Sequence, residues 1–435
     1  MLPTAIHPFP AAMSSDERFL KAAASIAREI VAAAVWDNGR CSWMGAVEDP
    51  ASFSREVYHA LGPSLYGGTA GVGLFLAHVA TATGDERFRE AAAGALRHAS
   101  SRAIELPAER RDGFHAGTLG VAWAAARAAR LIDAEEIHEQ ARAVLTQAPP
   151  PTSTRRCRDV VSGMAGSILG LLALADELDD PRLVEYAGSI GDRLIHEASV
   201  TSYGWSWAIP GRRYPAHLCG IAHGAAGIGL ALLELFATTR EERYRVAATG
   251  AFAYERSWLD VASGRWPDLR IGERRRGVLA TIDSGISGTW CYGEAGIALT
   301  RLRAIDVLGP GPHLRDANIA VDTTCRYVAD SLPYAMGDLS LCHGLGGAAD
   351  VLLAAACRRE GPWYEAAARV TDLGRLALER YAQEDHRYRC GIAGEATPGL
   401  FLGLSGIGWL FLRLHDPETP SPLAPKKALE MSVAW

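Results

Sequence analysis

Two kinds of helical pattern alternate along this chain of 435 residues. One kind is apolar on nearly every side, as in GLALLELFA (229–237), and predicts burial all round. The other is amphipathic. In Asp85–Arg102, for example, Phe88, Ala91, Ala92, Ala95 and Leu96 form one stripe at helical spacing, with the charges elsewhere. The amphipathic segments lie near Asp16–Val35, Asp85–Arg102, Ala134–Thr146, Pro181–Glu197, Glu241–Ser257, Leu314–Ser331 and Trp363–Tyr381. Asp16 and Asp85 are placed to cap, and Asp180-Pro181 puts proline where a missing N–H costs nothing.

Each apolar segment opens on Gly-x-x-Gly: Gly68/Gly71, Gly117/Gly120, Gly163/Gly166, Gly224/Gly227, Gly293/Gly296, Gly344/Gly347 and Gly403/Gly406. The first glycines are spaced 49, 46, 61, 69, 51 and 59 residues apart, a loose period that marks a repeat architecture. That outweighs the two or three domains suggested by length alone. Seven apolar helices alternating with seven amphipathic ones predict an all-α fold, an α/α toroid of seven inner and seven outer helices closed by the last repeat. The chain then forms a single domain over 1–435, with loose termini at about 1–13 and 416–435. Strand signals are local, at Gly204–Ile209 and Gly277–Ile282. The inner helices start at one end, so the glycines let their backbones crowd around a central pocket, at about 1 kcal/mol each in helix propensity. For any single glycine, close helix packing is an equal explanation.

Composition serves to exclude. A net charge of −6 and pI ≈ 6.1 argue against general binding to nucleic acid or anionic membrane. The longest apolar run, Ala225–Ala237, is interrupted by Glu234 and falls short of the ~18 residues of a membrane span. The N-terminus lacks the basic start and apolar core of a signal peptide, so the protein reads as cytoplasmic. Eight scattered cysteines give no disulfide framework. Most read as buried small hydrophobes, Cys357 in LLAAAC being the example.

The chemistry sits in the two positions before each first glycine: Tyr66-Gly67, His115-Ala116, Val161-Ser162, Ala222-His223, Cys291-Tyr292, Cys342-His343 and Phe401-Leu402. Coordinating types cluster in repeats four to six, neighbours on the ring. Cys291, Cys342 and His343 are ligands of the sort zinc prefers, and three protein ligands with one open position are the pattern of a catalytic zinc site. Buried structural thiols are the competing explanation.

WCYG (Trp290–Gly293), CHG (Cys342–Gly344), AHGAAG (Ala222–Gly227), WPDLR (Trp266–Arg270) and PGLFLGLSGIG (Pro398–Gly408) resemble the signature motifs of the lanthionine synthetase C-like family, across all seven repeats. The resemblance implies a zinc ion held by Cys291, Cys342 and His343 at the mouth of the toroid. It also implies a substrate: a precursor peptide, leader plus core, whose Ser and Thr have been dehydrated. A peptide cysteine thiol binds zinc and adds to dehydroalanine or dehydrobutyrine, giving lanthionine or methyllanthionine rings of the kind found in lanthipeptide antibiotics. A dehydratase is a candidate partner. His223, at the family's AHG position, is expected to be the general acid or base, with packing or capping as its alternative. Asp159 matches a family aspartate and either orients His223 or caps its helix. Tyr292 either hydrogen-bonds the enolate or packs.

One departure is Ser287, where some cyclases carry an arginine four residues before the first zinc cysteine. Arg212 or Arg213 is a candidate replacement, although both fit a solvated surface. Trp205, Trp207 and Tyr214 are candidates for a peptide-binding rim, and Arg274–Arg276 reads as a solvated charge run. Three other functions stay open. A glutathione-adding enzyme would use the same zinc–thiol chemistry. A glycan-processing toroid would need paired carboxylates from Asp159, Asp283, Glu294 and Asp350. A non-catalytic scaffold or binding toroid would need none of these groups.

Overall fold

The computed structural model describes residues 16–48, 56–108, 111, 113–147, 157–212, 214, 216–270, 273–275, 278–280, 287–332, 337–358, 363–383, 388–392 and 396–423. Among these residues, fourteen α-helices follow in chain order: α1 (Glu17–Ala32), α2 (Thr69–Thr83), α3 (Glu86–Arg102), α4 (Thr118–Ile132), α5 (Glu135–Gln147), α6 (Met164–Leu178), α7 (Arg182–His196), α8 (Ala225–Thr239), α9 (Glu242–Arg256), α10 (Glu294–Leu308), α11 (Gly311–Ser331), α12 (Leu345–Ala356), α13 (Tyr364–Gln383) and α14 (Leu404–His415).

The seven Gly-x-x-Gly helices (α2, α4, α6, α8, α10, α12, α14) pack in a closed circle, each on the next and α14 back on α2. They are buried nearly all round, as their patterns predict. An outer layer covers them: α3 on α2, α5 on α4, α7 on α6, α9 on α8, α11 on α10 and α13 on α12. The seventh inner helix takes its cover from the other end of the chain, because α1 packs on α14 through a stripe that includes Phe19, Ala23, Ile26 and Ile30. The protein is an α/α toroid. Asp16, Asp85 and Asp180 each accept the N–H of the arginine two residues on and pair with its guanidinium.

The Gly-x-x-Gly frame has a specific steric cause. A Cβ on the second glycine of each pair would drive into the carbonyl oxygen six residues earlier: Leu65, Phe114, Val160, Ile221, Trp290, Leu341 and Leu400 in turn. The loop before each inner helix can therefore fold tightly over the helix start, and successive loops join edge to edge. The Tyr66 N–H donates to the His115 carbonyl (2.8 Å), Ala116 to Val161 (3.0 Å), Val160 to Ala222 (3.1 Å) and Ala222 to Cys291 (3.0 Å). Cys291 then donates to Cys342 (3.1 Å), Cys342 to Phe401 (3.0 Å) and Phe401 back to Tyr66 (2.8 Å), which closes a ring of seven links.

Four antiparallel hairpins lie among the described residues: β1 (Val35–Asp37) with β2 (Arg40–Ser42), β3 (Met44–Glu48) with β4 (Glu56–Ala60), β5 (Ser199–Thr201) with β6 (Gly204–Ser206), and β7 (Glu273–Arg275) with β8 (Val278–Ala280). The last two hairpins take up the expected strand signals in part. Tryptophans fix three connections to the outer layer. Trp43, Trp207 and Trp266 donate their indole N–H to the carbonyls of Ile30, Leu194 and Glu255, in the last turns of α1, α7 and α9.

The far ends of the inner helices are laced by charge, with Arg127 on Glu177, Arg303 on Glu234 and Arg413 on Asp350. That last pair corrects the expectation of a loose end from residue 416. Ser421 donates to Asp350, Arg413 binds the Thr419 carbonyl, Trp409 binds the Pro420 carbonyl, and Leu423 is buried. Residues 1–13 and 424–435 lie outside the described residues. All eight cysteines are free thiols, and Cys357 is half-buried at the end of α12 rather than in the core. No described helix is long and apolar enough to cross a membrane.

The steric account predicts a contrast between two glycines of similar setting. Gly120→Ala, whose Cβ meets the Phe114 carbonyl, should cost about 3 kcal/mol or fail to fold. Gly67→Ala, with nothing within 4 Å of the new atom, should be nearly neutral in denaturant melts.

Candidate metal centre and active site

The ring of loops decides which side chains meet. Cys291 and Cys342 occupy the same register position of repeats five and six, and the backbone bond between them brings their sulfurs together. With His343, next after Cys342, they place three ligand atoms within 4.8 Å of one another. This donor set suits a zinc-sized ion, whose bonds run to roughly 2.3 Å for sulfur and 2.0 Å for nitrogen.

His343 is oriented from behind. Its Nε2 lies 2.9 Å from the Gly391 carbonyl and 3.6 Å from Asp338 Oδ2, so Nε2 carries the proton and Nδ1 keeps the lone pair for a metal. Gly391 has to be glycine for this approach, since a Cβ there would stand 2.9 Å from the imidazole nitrogen and 2.7 Å from Ser340 Oγ. Asp338 is itself held by the Ser340 N–H and hydroxyl. The Cys342 thiol hydrogen-bonds Cys291 and, against burial and with help from His343, pushes Cys291 down to about 6. Cys342 is driven up by the same bond and by its burial. A pair that sheds its first proton this readily is a ready metal ligand.

One repeat back, His223 Nδ1 is 2.7 Å from Asp159 Oδ2, and Asp159 Oδ1 accepts the Ser162 N–H at 2.7 Å. The aspartate therefore both orients the imidazole and fastens its own loop. Its loop and that of His223 adjoin through the Val160–Ala222 link of the ring. The His223 ring stacks on Tyr292, with centroids 5.5 Å apart. Burial raises the Tyr292 phenol, with the Arg270 guanidinium opposing, so it stays a protonated donor at neutral pH. The His223 loop is braced from the outer layer. Gly220, with φ +92, donates its N–H to Glu255 Oε1 at 2.6 Å. Glu255 Oε2 pairs at 2.9 Å with the fully buried Arg301, which also holds Asp316.

Ser287 is committed elsewhere. Its hydroxyl, with the Gly288 N–H, binds the buried carboxylate of Glu294 at 3.0 and 2.6 Å. A cavity of about 630 Å³ opens beside this loop, lined in part by Ser287, Tyr327, Arg265, Arg326 and Asp330. Arg212 is exposed, and Arg213, Asp283 and Arg276 lie outside the described residues, as do the side chains of Arg274 and Arg275. Two of the expected rim aromatics are structural instead. Trp207 is buried at the end of α7, and Trp205 lies against Gly250 of α9, while Tyr214 bears electrostatically on Tyr292. The sequence pattern does not point to Gly391 or Asp338, and Arg270 figures in it only as the end of WPDLR, without a role. For Arg270 a signal existed, because Asp268-x-Arg270 repeats the Asp-x-Arg spacing seen at three helix starts and makes the same bidentate pair at 2.9 and 2.8 Å.

A family model described as lanthionine synthetase C-like protein matches residues 59–426. Among solved structures, nisin cyclase superposes with a TM-score of 0.61 at 16% identity, covering 84% of this chain and 91% of that one. An unsaturated glucuronyl hydrolase from Bacillus sp. GL1 superposes with a TM-score of 0.51 at 14% identity, covering 93% and 97%. At these identities the structural likeness is one of fold.

The His223–Asp159 pair has a defined pH signature. Burial disfavours the charged imidazole, but Asp159 outweighs it and raises His223 above the usual 6.5. Burial raises Asp159, but His223 and the Ser162 and Gly163 N–H groups hold it below 3.8. The raised histidine stabilises fully below 6.5, an effect lost as pH climbs through its folded pKa. The lowered aspartate stabilises above 3.8, an effect lost as pH falls through its own. Asp159→Asn should therefore lower stability most between these values, with the gap narrowing at alkaline pH, and an NMR titration should show His223 below its wild-type pKa. An equal stability gap at about pH 5 and about pH 9 would contradict the pairing.

Proposed function

We propose that this chain, which belongs to the lanthionine synthetase C-like family, is a zinc-dependent peptide cyclase that joins cysteine thiols to dehydroalanine or dehydrobutyrine in a dehydrated precursor peptide. The observation that carries this reading is the meeting of two constellations on neighbouring loops. One is the Cys291–Cys342–His343 cluster, and the other is the His223–Asp159 pair stacked on Tyr292.

A zinc ion bound by Cys291, Cys342 and His343 would supply Lewis acidity that keeps a peptide thiol, of ordinary pKa about 8.5, deprotonated at neutral pH. The rest falls to the protein's own groups. Addition of sulfur to the β-carbon displaces the double-bond electrons toward the neighbouring carbonyl, and Cα must then take up a proton. His223 suits that transfer: Asp159 holds Nδ1 and stabilises the imidazolium, so Nε2 can deliver a proton and take one back. Tyr292 can donate its hydroxyl to the carbonyl oxygen as charge gathers there. The starts of α8, α10 and α12 add their positive ends to the same region.

The glycan-processing alternative finds little support in the carboxylates. Glu294 is bound by Ser287 and Gly288, Asp350 is buried on Arg413, and Asp159 serves His223.

Metal analysis of the pure protein should find about one zinc per chain, removed by a strong chelator together with activity. Cys342→Ala should lose both the metal and ring closure. His223→Ala should keep the metal and close rings about 10²- to 10⁴-fold more slowly. The assay counts free thiols by mass after incubation with a dehydrated, cysteine-containing peptide. An added glutathione arm separates ring closure from capping by an external thiol. Metal-free wild type, or wild-type rates in His223→Ala, would sink the corresponding assignment.

A further inference from the structure

Thiol addition places negative charge on a carbonyl oxygen near the buried carboxylate of Asp159. A fixed cation against that oxygen would stabilise it further, and position 287 does not provide one, since it is a serine tied to Glu294. The structure supplies a cation by another route. Arg270 belongs to the loop after α9, yet its guanidinium carbon sits 3.6 Å from the centre of the Tyr292 ring.

Three features set it apart from the other arginines nearby. It is rigidly held, because Asp268, itself buried, accepts Nε at 2.9 Å and Nη2 at 2.8 Å, and also takes the Arg270 backbone N–H at 3.0 Å. Its guanidinium carries five N–H donors, of which Asp268 and Tyr292 take only part, and its side chain is 32% exposed. It is also placed at the reacting groups: the Tyr292 ring that it covers stacks on His223, with centroids 5.5 Å apart. Arg265 and Arg326, by contrast, line the side cavity, and Arg326 is engaged by the Ser263 carbonyl and the Thr323 hydroxyl.

We propose that Arg270 is a catalytic residue of this cyclase, binding the carbonyl oxygen of the dehydro residue through its guanidinium as that oxygen becomes an enolate. The proposal rests on the cyclase reading above. In the step, the thiolate forms the C–S bond at Cβ and the Cα–Cβ π pair shifts to make a Cα=C bond as the carbonyl electrons pass to oxygen. The charge returns when Cα takes a proton from His223. An Arg270 N–H and the Tyr292 hydroxyl then form a two-donor hole, with the guanidinium plane on the ring polarising the phenol. The carboxylate of Asp268 leaves the fork one orientation, so no reorganisation is needed as charge develops.

The test uses the full chain loaded with zinc, a dehydrated peptide and the free-thiol assay. Arg270→Ala should keep its metal and its KM within about threefold, while kcat falls about 10²- to 10³-fold. Guanidinium ion added at millimolar concentration should restore about tenfold of the lost rate, and methylammonium at the same concentration should not. Arg270→Lys keeps the charge but lacks the fork, and should lose about tenfold in kcat, which serves if the alanine variant does not fold. Asp268→Asn, which loosens the fork without touching substrate, should lower kcat less than Arg270→Ala and leave KM unchanged.

A wild type that closes no rings brings down the cyclase reading, and this inference with it. A wild type that closes rings while Arg270→Ala or Arg270→Lys matches its kcat overturns the inference alone. So does a loss in Arg270→Ala that tracks loss of metal, or that guanidinium does not relieve.

Discussion

Seven loops, far apart in sequence, are joined by one continuous cycle of backbone hydrogen bonds, from Tyr66 through His115, Val161, Ala222, Cys291, Cys342 and Phe401 and back to Tyr66. Each bond contributes only about 0.5–1.5 kcal/mol net, but a buried N–H left without its partner costs more than that. The cycle therefore resists local change, since a loop that shifts strands its neighbours on both sides. The second glycine of every repeat is the condition for it. A side chain there would push the loop off the helix start, and the links to the adjoining repeats would go with it. Two thiols 51 residues apart become neighbours because their own backbone atoms are consecutive members of this cycle.

The same constraint explains what could be read from the sequence. Periodicity revealed the two helical layers, because burial on all sides and burial on one side leave different patterns. Register then placed Cys291, Cys342, His343 and His223 at equivalent points of successive repeats, and the toroid brings equivalent points together. Asp159 sits two residues ahead of that register, four before its repeat's first glycine, yet its carboxylate reaches His223 because consecutive loops abut.

Other features followed no repeat and were harder to see. The partners of His343 come from Gly391 and Asp338, where contact depends on one loop crossing over another. Trp205 and Trp207 suggested a binding rim by their size and position. In the structure such tryptophans pin hairpins to outer helices, a task that Trp43 and Trp266 share. The Asn38-Gly39 hairpin turn, with φ of 48° and 74°, is a local signal that helical periodicity does not carry.

The two ends of the inner barrel divide the labour. At the starts of the inner helices, small residues leave room for chemistry, and first-turn N–H groups are taken up by the preceding loop, as Ala225 by the Leu218 carbonyl and Leu345 by that of Asp338. At their far ends, Arg127–Glu177, Arg303–Glu234 and Arg413–Asp350 tie neighbours together. Breaking such a pair costs more than its presence contributes, because the partner's charge is left buried. The arrangement lets one end carry the reactive side chains while the other fixes the spacing of the helices beneath them.

The pairing of α1 with α14 has a consequence in time. Among the described helices, α1 with its apolar stripe is made first during synthesis, and its principal partner, α14, is made last. At roughly 5–20 residues per second, the interval between Ala32 and Leu404 is on the order of half a minute. Throughout that interval the hydrogen-bond cycle is open at Phe401, whose carbonyl anchors the Cys342 loop. The reactive centre is thus among the final parts of the molecule to take shape, and a nascent chain carries its cysteines unassembled until the ring is whole.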